Sequence, residues 1–553
     1  MSDNQGTYRR SGFDLIIYKI KQRSYELDEK NPVKLWLSFY IGLFFFAILL
    51  GVIFGLYIPF KTIDVNSARY VLSALIQSQA AVISIVITLT LIAVQVTAQT
   101  YSPRVTEVFK KHPNMWCFLT SYIISIAFSS IVLTYLVGTD LADSVATRIS
   151  LYISCLLGIF LFFALILYIY NTLNLLNAEN VLRRLTDGIY TQIPDEVGHE
   201  DDPFQPVFDV IYSAIRRFDL PTMSYGFKQA KNKYQLIVLK NRTHTNLNHV
   251  INKFLDDFKR CGFLLIERRE EACAFEVVIV LAKIGKWSID NEIQHSFYYA
   301  IEAIKDVGVQ AANSKLCLLF DHSMDLMCQL GQIVAQLGSK QENVSLNSSI
   351  IPFMYNQGEL GRAAVLNDMK HSGISAVISM GEVAEELIKI NNRRYNSYIL
   401  TSFMTVGLAA VENKSIRILD ILTDTLQDLF DIAITNHNDQ IAKEIMRIFW
   451  FLGRSTAGHE LIEQTKNISD EIFLSLTKAY DSNATDIYDS GRKQLAEIRL
   501  EYPHIFEKYK PPSYADIQFD WKFNELMLRD EGLLIHEEIK DWIRRRDELA
   551  EWT

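Results

Sequence analysis

Ser73, Gln77, Ser84, Thr88, Gln95 and Gln99 follow one another at intervals of 4, 7, 4, 7 and 4. Neutral hydroxyls and amides are poor acid–base catalysts. Their chemistry is solvation: they hydrogen-bond to one another, or replace water around an ion or polar solute. At 100° per residue the six fall within an arc of about 80° on one side of a helix. Tyr70, Ala81, Leu91 and Ser102 fall on the same arc, which makes Leu91 its one bulky aliphatic side chain. In a water-filled path Leu91 would be a constriction able to gate by dewetting.

The helix that carries this stripe is bracketed by Arg69 and Arg104, with 34 uncharged residues between them. At 1.5 Å per residue that is ~51 Å, whereas a bilayer core needs only about 20 apolar residues. Polar groups inside a membrane are costly and seldom face lipid. The stripe therefore meets protein or water. In the first case it packs on Ser121, Ser125 and Ser129, a ridge at i, i+4, i+8 on the next apolar segment. In the second it is repeated around a symmetric oligomer and lines a neutral path.

Four segments are long and apolar enough to span: Leu35–Ile58, Val71–Ala98, Met115–Gly138 and Ile149–Leu173. The first carries Gly51-x-x-x-Gly55, which lets helices approach closely. None holds a charge, which argues against proton relay and pumping. Residues 1–34, the loop after the second segment and the start of the region after the fourth hold twelve Lys and Arg. The opposite loops hold three: Lys61, Arg69 and Arg148. The positive-inside rule then puts both termini in the cytoplasm. Residues 1–34 contain no early apolar stretch, so no cleavable signal peptide is expected. Phe13, Ile16, Ile17, Ile20 and Leu27 recur beside Lys19, Lys21 and Arg23, a basic amphipathic segment suited to the inner leaflet or to docking on the cytoplasmic domain.

Residues 176–206 read as an acidic linker, with Asp195, Glu196, Glu200, Asp201 and Asp202 before Pro203 and Pro206. From 207 to 553 apolar residues recur at spacings of 3 and 4. Gln235–Leu239 and Phe263–Ile266 read as strand-like exceptions. Ile284-Gly285, Val307-Gly308, Leu337-Gly338 and Leu452-Gly453 read as helix ends closed by glycine, and no fixed period emerges from them. The expected fold is all-α: four transmembrane helices, then a large cytoplasmic helical domain built as a bundle or an α-solenoid.

Elsewhere the sequence offers no recognisable chemistry. It has neither a G-x-G-x-x-G nor a G-x-x-x-x-G-K-[ST] phosphate loop, no G-x-S-x-G and no H-E-x-x-H. The six cysteines form no C-x-x-C pair, and His244 and His249, five apart, share a helical face poorly. We therefore expect no enzyme, metal or cofactor. A net charge of −9 argues against a general nucleic-acid binder.

The run Thr88-Leu-Thr-Leu-Ile-Ala-Val-Gln95, continuing to Tyr101-Ser102-Pro103-Arg104, resembles the hallmark of an uncharacterised family of prokaryotic predicted membrane proteins. The likeness covers roughly Ser67–Val137. The family's usual Ser-Pro-x-x-Asn-Asp-Pro stretch is missing from the region that follows. The resemblance implies a prokaryotic plasma-membrane protein and supplies no activity. In physical terms Ser102-Pro103 should end or kink the long helix, leaving Arg104 at headgroup depth. The sequence thus leaves two functional readings open. One is a homo-oligomeric channel lined by the second helix and regulated by the cytoplasmic domain. The other is a membrane-anchored scaffold or sensor that conducts nothing.

Overall fold

A computed structural model describes residues 32–57, 65–100, 113–138, 145–175, 177–191, 193, 202–340, 344–390, 400–482 and 484–506. The basic segment 13–27, Ser102-Pro103-Arg104, most of the acidic run and the stretch 533–551 lie outside them. The chain divides into two compact units, residues 1–189 with 205–213, and residues 190–204 with 214–553.

The first unit holds four long apolar helices: α1 (Pro32–Tyr57), α2 (Val65–Thr100), α3 (Pro113–Gly138) and α4 (Val145–Leu175). All four are long and apolar enough to cross a membrane. α1 packs on α4 and α3, and α2 packs on α3 and α4. Within the stretch read as a linker, α5 (Ala178–Gly188) forms a short amphipathic helix. Its first turn is capped by Asn177, whose side chain accepts from the Glu179 N–H at 3.1 Å. Ala178, Val181, Leu182 and Thr186 make its buried stripe.

After α6 (Gln205–Arg217), the second unit is a two-layer array of helices. One layer runs α8 (Leu247–Glu267), α10 (Gln294–Asn313), α12 (Val344–Leu366), α14 (Thr401–Glu412), α16 (Asp439–Gly458), α18 (Thr485–Glu501). The other runs α7 (Leu220–Lys240), α9 (Glu271–Asp290), α11 (Cys317–Lys340), α13 (Lys370–Ile390), α15 (Ile416–Thr435), α17 (Ile462–Asp481), with α19 (Pro503–Phe506) against α17 and α18. Each helix touches the next in its own layer and its sequence neighbour in the other, which is the α-solenoid arrangement. The strand-like readings are overturned: Gln235–Leu239 lies in α7 and Phe263–Ile266 in α8. Burial on one side of each helix, not β pairing, absorbs those apolar runs.

The array has a period after all. Arg269, Glu292 and Lys315 adopt left-handed backbone with φ of 58–59°, 23 residues apart, and Lys414, His437 and Glu460, also 23 apart, do so with φ of 50–60°. In each case the N–H of the following residue reaches back five residues, as in Ile293 N–H to Ser288 O at 2.8 Å and Leu461 N–H to Thr456 O at 2.9 Å. These are Schellman turns. A 20-residue helix, such as Glu271–Asp290 or Ile416–Thr435, plus a three-residue turn gives the 23. Between Lys315 and Asp368 the step is seven residues longer than two periods, which hides the repeat.

The glycines read as helix caps are not caps. Gly285, Gly308, Gly338 and Gly453 lie inside helices, and among the described residues no glycine has positive φ. In the first layer, glycines stand seven residues before the left-handed position and meet the next helix. A Cβ on Gly308 would stand 2.5 Å from Leu360, on Gly361 2.8 Å from Val406, on Gly407 2.7 Å from Leu452 and on Gly453 2.9 Å from Ile498. The glycine is needed for contact between repeats, not for the turn.

Candidate functional site in the membrane helices

α2 meets its own bundle through one face only. Ala68, Leu72, Gln79, Val86 and Thr97 are buried. At 100° per residue these positions lie nearly opposite the polar stripe. The stripe itself turns outward from the chain. Gln77, Ser84, Thr88, Gln95 and Gln99 are exposed, Ser73 is half-buried and Leu91 is 58% exposed. Ala81 and Tyr70 on the same arc are exposed too. Only 12% of the apolar window of α2 is buried within the chain, against 33% for α3.

The serine ridge of α3 is therefore not where the stripe packs. Ser121, Ser125 and Ser129 are buried, but their partners are others. Ser125 Oγ accepts from Gln79 Nε2 at 3.1 Å. Ser121 Oγ donates to the Cys117 carbonyl one turn back at 2.8 Å. Gln79, fully buried, is the amide that fixes α2 against α3, and sequence reasoning missed it. The available signal was its position: a lone amide on the apolar side of a membrane helix must find a partner, and the serine ridge supplies one. Gln79 Oε1 and the hydroxyls of Ser129 and Ser154 are buried with no hydrogen bond.

Nearer the C-terminal end of α2, an aromatic cluster completes the seat. Phe118 stacks on Tyr168 with ring centroids 4.6 Å apart and lies 4.7 Å from Tyr122. Val86 packs into this cluster with Tyr40 and Leu161. Thr90 Oγ1 donates to the Val86 carbonyl at 2.8 Å and also lies 2.8 Å from Tyr168 Oη. Each aromatic hydroxyl has a partner, as burial in hydrocarbon demands: Tyr122 Oη donates to the Leu161 carbonyl at 3.0 Å and Tyr40 Oη to Asn114 Oδ1 at 3.3 Å.

Gly51 and Gly55 of α1 face α4. A Cβ at Gly55 would stand 2.5 Å from Ile149 Cγ1, and one at Gly51 would overlap Ile153. That contact is why α1 and α4 run close. On the stripe, polar groups bond within the helix. Thr88 Oγ1 donates to the Ser84 carbonyl at 2.9 Å, and Gln77 Nε2 lies 3.5 Å from Ser73 Oγ. Such local bonds leave the long amides able to reach outward. Among the described residues, no group of three or more His, Cys, Asp or Glu is placed to hold a metal ion. His244 Nδ1 accepts the Asn246 N–H at 3.2 Å, a turn contact.

Comparison with known proteins adds a broad placement. No curated protein matches the chain. A solved circular tandem repeat protein, with novel repeat topology and enhanced subunit contact surfaces, is 13% identical and aligns with 79% of this chain and 100% of its own, at a TM-score of 0.36. Residues 32–216, the stretch that holds all four apolar helices, match the family described as predicted membrane protein (DUF2254).

Proposed function

We propose that this chain is a multi-pass plasma-membrane protein that assembles with copies of itself, so that the polar face of α2 lines a neutral conduit. The repeat unit lies in the cytoplasm and regulates the conduit. One observation carries the reading: the stripe sits on the side of α2 away from its own bundle. From Gln77 to Gln95 is about 27 Å of helix, close to the thickness of the hydrocarbon core. An amide left unbonded in hydrocarbon costs roughly 2 kcal/mol or more, so a monomer with this face in lipid would be strained. Copies meeting along α2 remove that cost. Ser73, Ser84 and Gln95 are spaced by 11, as are Gln77, Thr88 and Gln99. An 11-residue period keeps a face aligned along a nearly straight helix and favours right-handed crossing.

The stripe carries no charge, so it suits ions or small polar solutes solvated by hydroxyls and amides rather than proton relay. Leu91 is the constriction. Purified protein reconstituted in tight liposomes tests this by ion or solute flux. Flux is expected, with Leu91→Ser raising the basal leak. Absence of flux under any voltage, pH or tension would remove the conduit reading. A second reading rests on the repeat unit: α-solenoids present extended surfaces that suit partner binding. In that reading the copies meet along α2 without water, and the protein is a membrane-anchored scaffold.

A further inference from the structure

A groove of about 520 Å³ runs between α16 and α18. α16 contributes Lys443, Arg447 and Trp450, which share a helix face, and α18 contributes Asp486, Lys493 and Gln494. Lys443 Nζ lies 3.1 Å from Asp486 Oδ2 at one end of this row. At the other, Arg454 makes a two-point bond to Glu501, both contacts at 2.7 Å, and its guanidinium lies 5.0 Å over the Trp450 ring. These cross-helix pairs hold α16 and α18 in register around the groove. Between them two cations are not spent across the gap. Among the described residues Arg447 forms an ion pair with Glu444 of its own helix alone, at 3.9 Å, and Lys493 forms none.

The wall of the groove holds two more unspent groups. Trp450 Nε1 and Gln494 Oε1 are buried without a hydrogen-bond partner. Buried polar atoms are nearly always bonded, so orphans ask for an explanation. A half-turn of the Gln494 amide exchanges its acceptor for a donor. Arg447, Lys493, Trp450 and Gln494 can then all donate to one oxyanion, with the guanidinium fork matching its geometry. Two rim acids keep the groove near neutral. Asp489 is bonded to Arg492 at 3.3 Å, and Glu497, eight residues further along α18, lines the same groove. A balanced rim disfavours polyanions, and carboxylates accept from hydroxyls.

From this arrangement we infer that the groove binds a phosphate ester of a polyol. The phosphate sits on Arg447, Lys493 and the Trp450 N–H, and the hydroxyls turn to Asp489 and Glu497. The same chemistry occurs in a free metabolite and in a glycerol-phosphate lipid headgroup. This inference does not depend on conduction. Its test is isothermal titration calorimetry on the full-length protein, with glycerol 3-phosphate in detergent as one arm. The other arm is flotation with phosphatidylglycerol vesicles against phosphatidylcholine vesicles, scored by comparing variants. Saturable binding is expected in at least one arm. Binding in the first assigns a soluble ligand; binding in the second alone assigns a headgroup. Arg447→Gln with Lys493→Gln should weaken it about tenfold or more, the loss expected for charge-assisted bonds. Trp450→Phe keeps the ring and removes the N–H, and should weaken it less. An unchanged unfolding midpoint checks that the exposed charge variants remain folded. No binding in either arm, or equal binding by folded variants, overturns the proposal.

Discussion

In the membrane unit α2 is seated by Gln79 on Ser125, by Thr90 on Tyr168 and by one aromatic cluster, each contact used once. In the repeat unit α10, α14 and α16 are each seated by a glycine that meets an aliphatic side chain of the next helix in its layer. Without a hydrophobic driving force between lipid-bathed helices, orientation has to come from polar bonds and shape. In water, apolar burial supplies the drive, and the only specific demand is that backbones approach at a constant distance. The first strategy leaves polar residues that do not fit the seat, and these collect in the outward stripe of α2. The second tolerates buried polar side chains such as Ser288, Ser296, Gln357 and Thr465, because apolar burial and not polar bonding sets the spacing of the layers.

The largest effect that would break this contrast is overpacking of a repeat contact. Gly308→Val places methyl groups where Leu360 and Ser323 already stand, and should cost about 3 kcal/mol in chemical denaturation. A loss below 1 kcal/mol would mean that the layers slide freely. In the membrane unit, Gln79→Ala removes the bond to Ser125 and leaves a small void. We expect about 2 kcal/mol in steric-trap or denaturant unfolding in micelles. A smaller gain sharpens the point about glycine. Lys414 holds a left-handed φ of 50°, so Lys414→Gly should stabilise by about 0.5 kcal/mol, whereas Gly407→Ala, seven residues earlier, should destabilise.

The smallest effect depends on pH. Burial, then the charges of Asp424, Asp470 and Asp431, push the Glu471 carboxyl up, while Lys478 pulls it down. Its Oε2 is buried without a hydrogen bond. A carboxyl raised in the folded state binds its proton more tightly there than in the unfolded chain. Stability is therefore lost as pH rises above the ordinary glutamate range. Glu471→Gln should raise the unfolding midpoint near pH 7 and change it little near pH 3, below the ordinary glutamate range, where the carboxyl is protonated in both states. An equal shift at both pH values would point to packing instead.

Much of the membrane unit was legible because its signals are local. Thirty-four uncharged residues between Arg69 and Arg104 specify a long helix, and the 4, 7, 4, 7, 4 intervals specify a face. What that face meets was not legible, since Gln79 and the stripe are the same kinds of residue on opposite sides. Pairing is a property of the fold. The repeat unit was half-read. Its helices follow from apolar spacing, except where the strand-like runs Gln235–Leu239 and Phe263–Ile266 hide parts of α7 and α8. The 23-residue period escaped because charged or polar residues occupy the left-handed turns, where a reader looks for glycine. The seven-residue offset between Lys315 and Asp368 then broke the count. Gly308 and Gly453 drew attention as caps, when their use was contact with Leu360 and Ile498.

The central claim is that the stripe of α2 faces neither its own bundle nor lipid. Single cysteines in an otherwise cysteine-free chain test it most directly in native membranes, at Gln77, Ser84, Thr88 and Gln95, against Ile85 and Val96 as exposed apolar positions on other arcs of the same helix. The account predicts that stripe cysteines cross-link between copies and react with a membrane-impermeant thiol reagent, while those at 85 and 96 do neither. Stripe cysteines that neither cross-link nor react, and that are quenched by lipid-dissolved probes as strongly as 85 and 96, would contradict it.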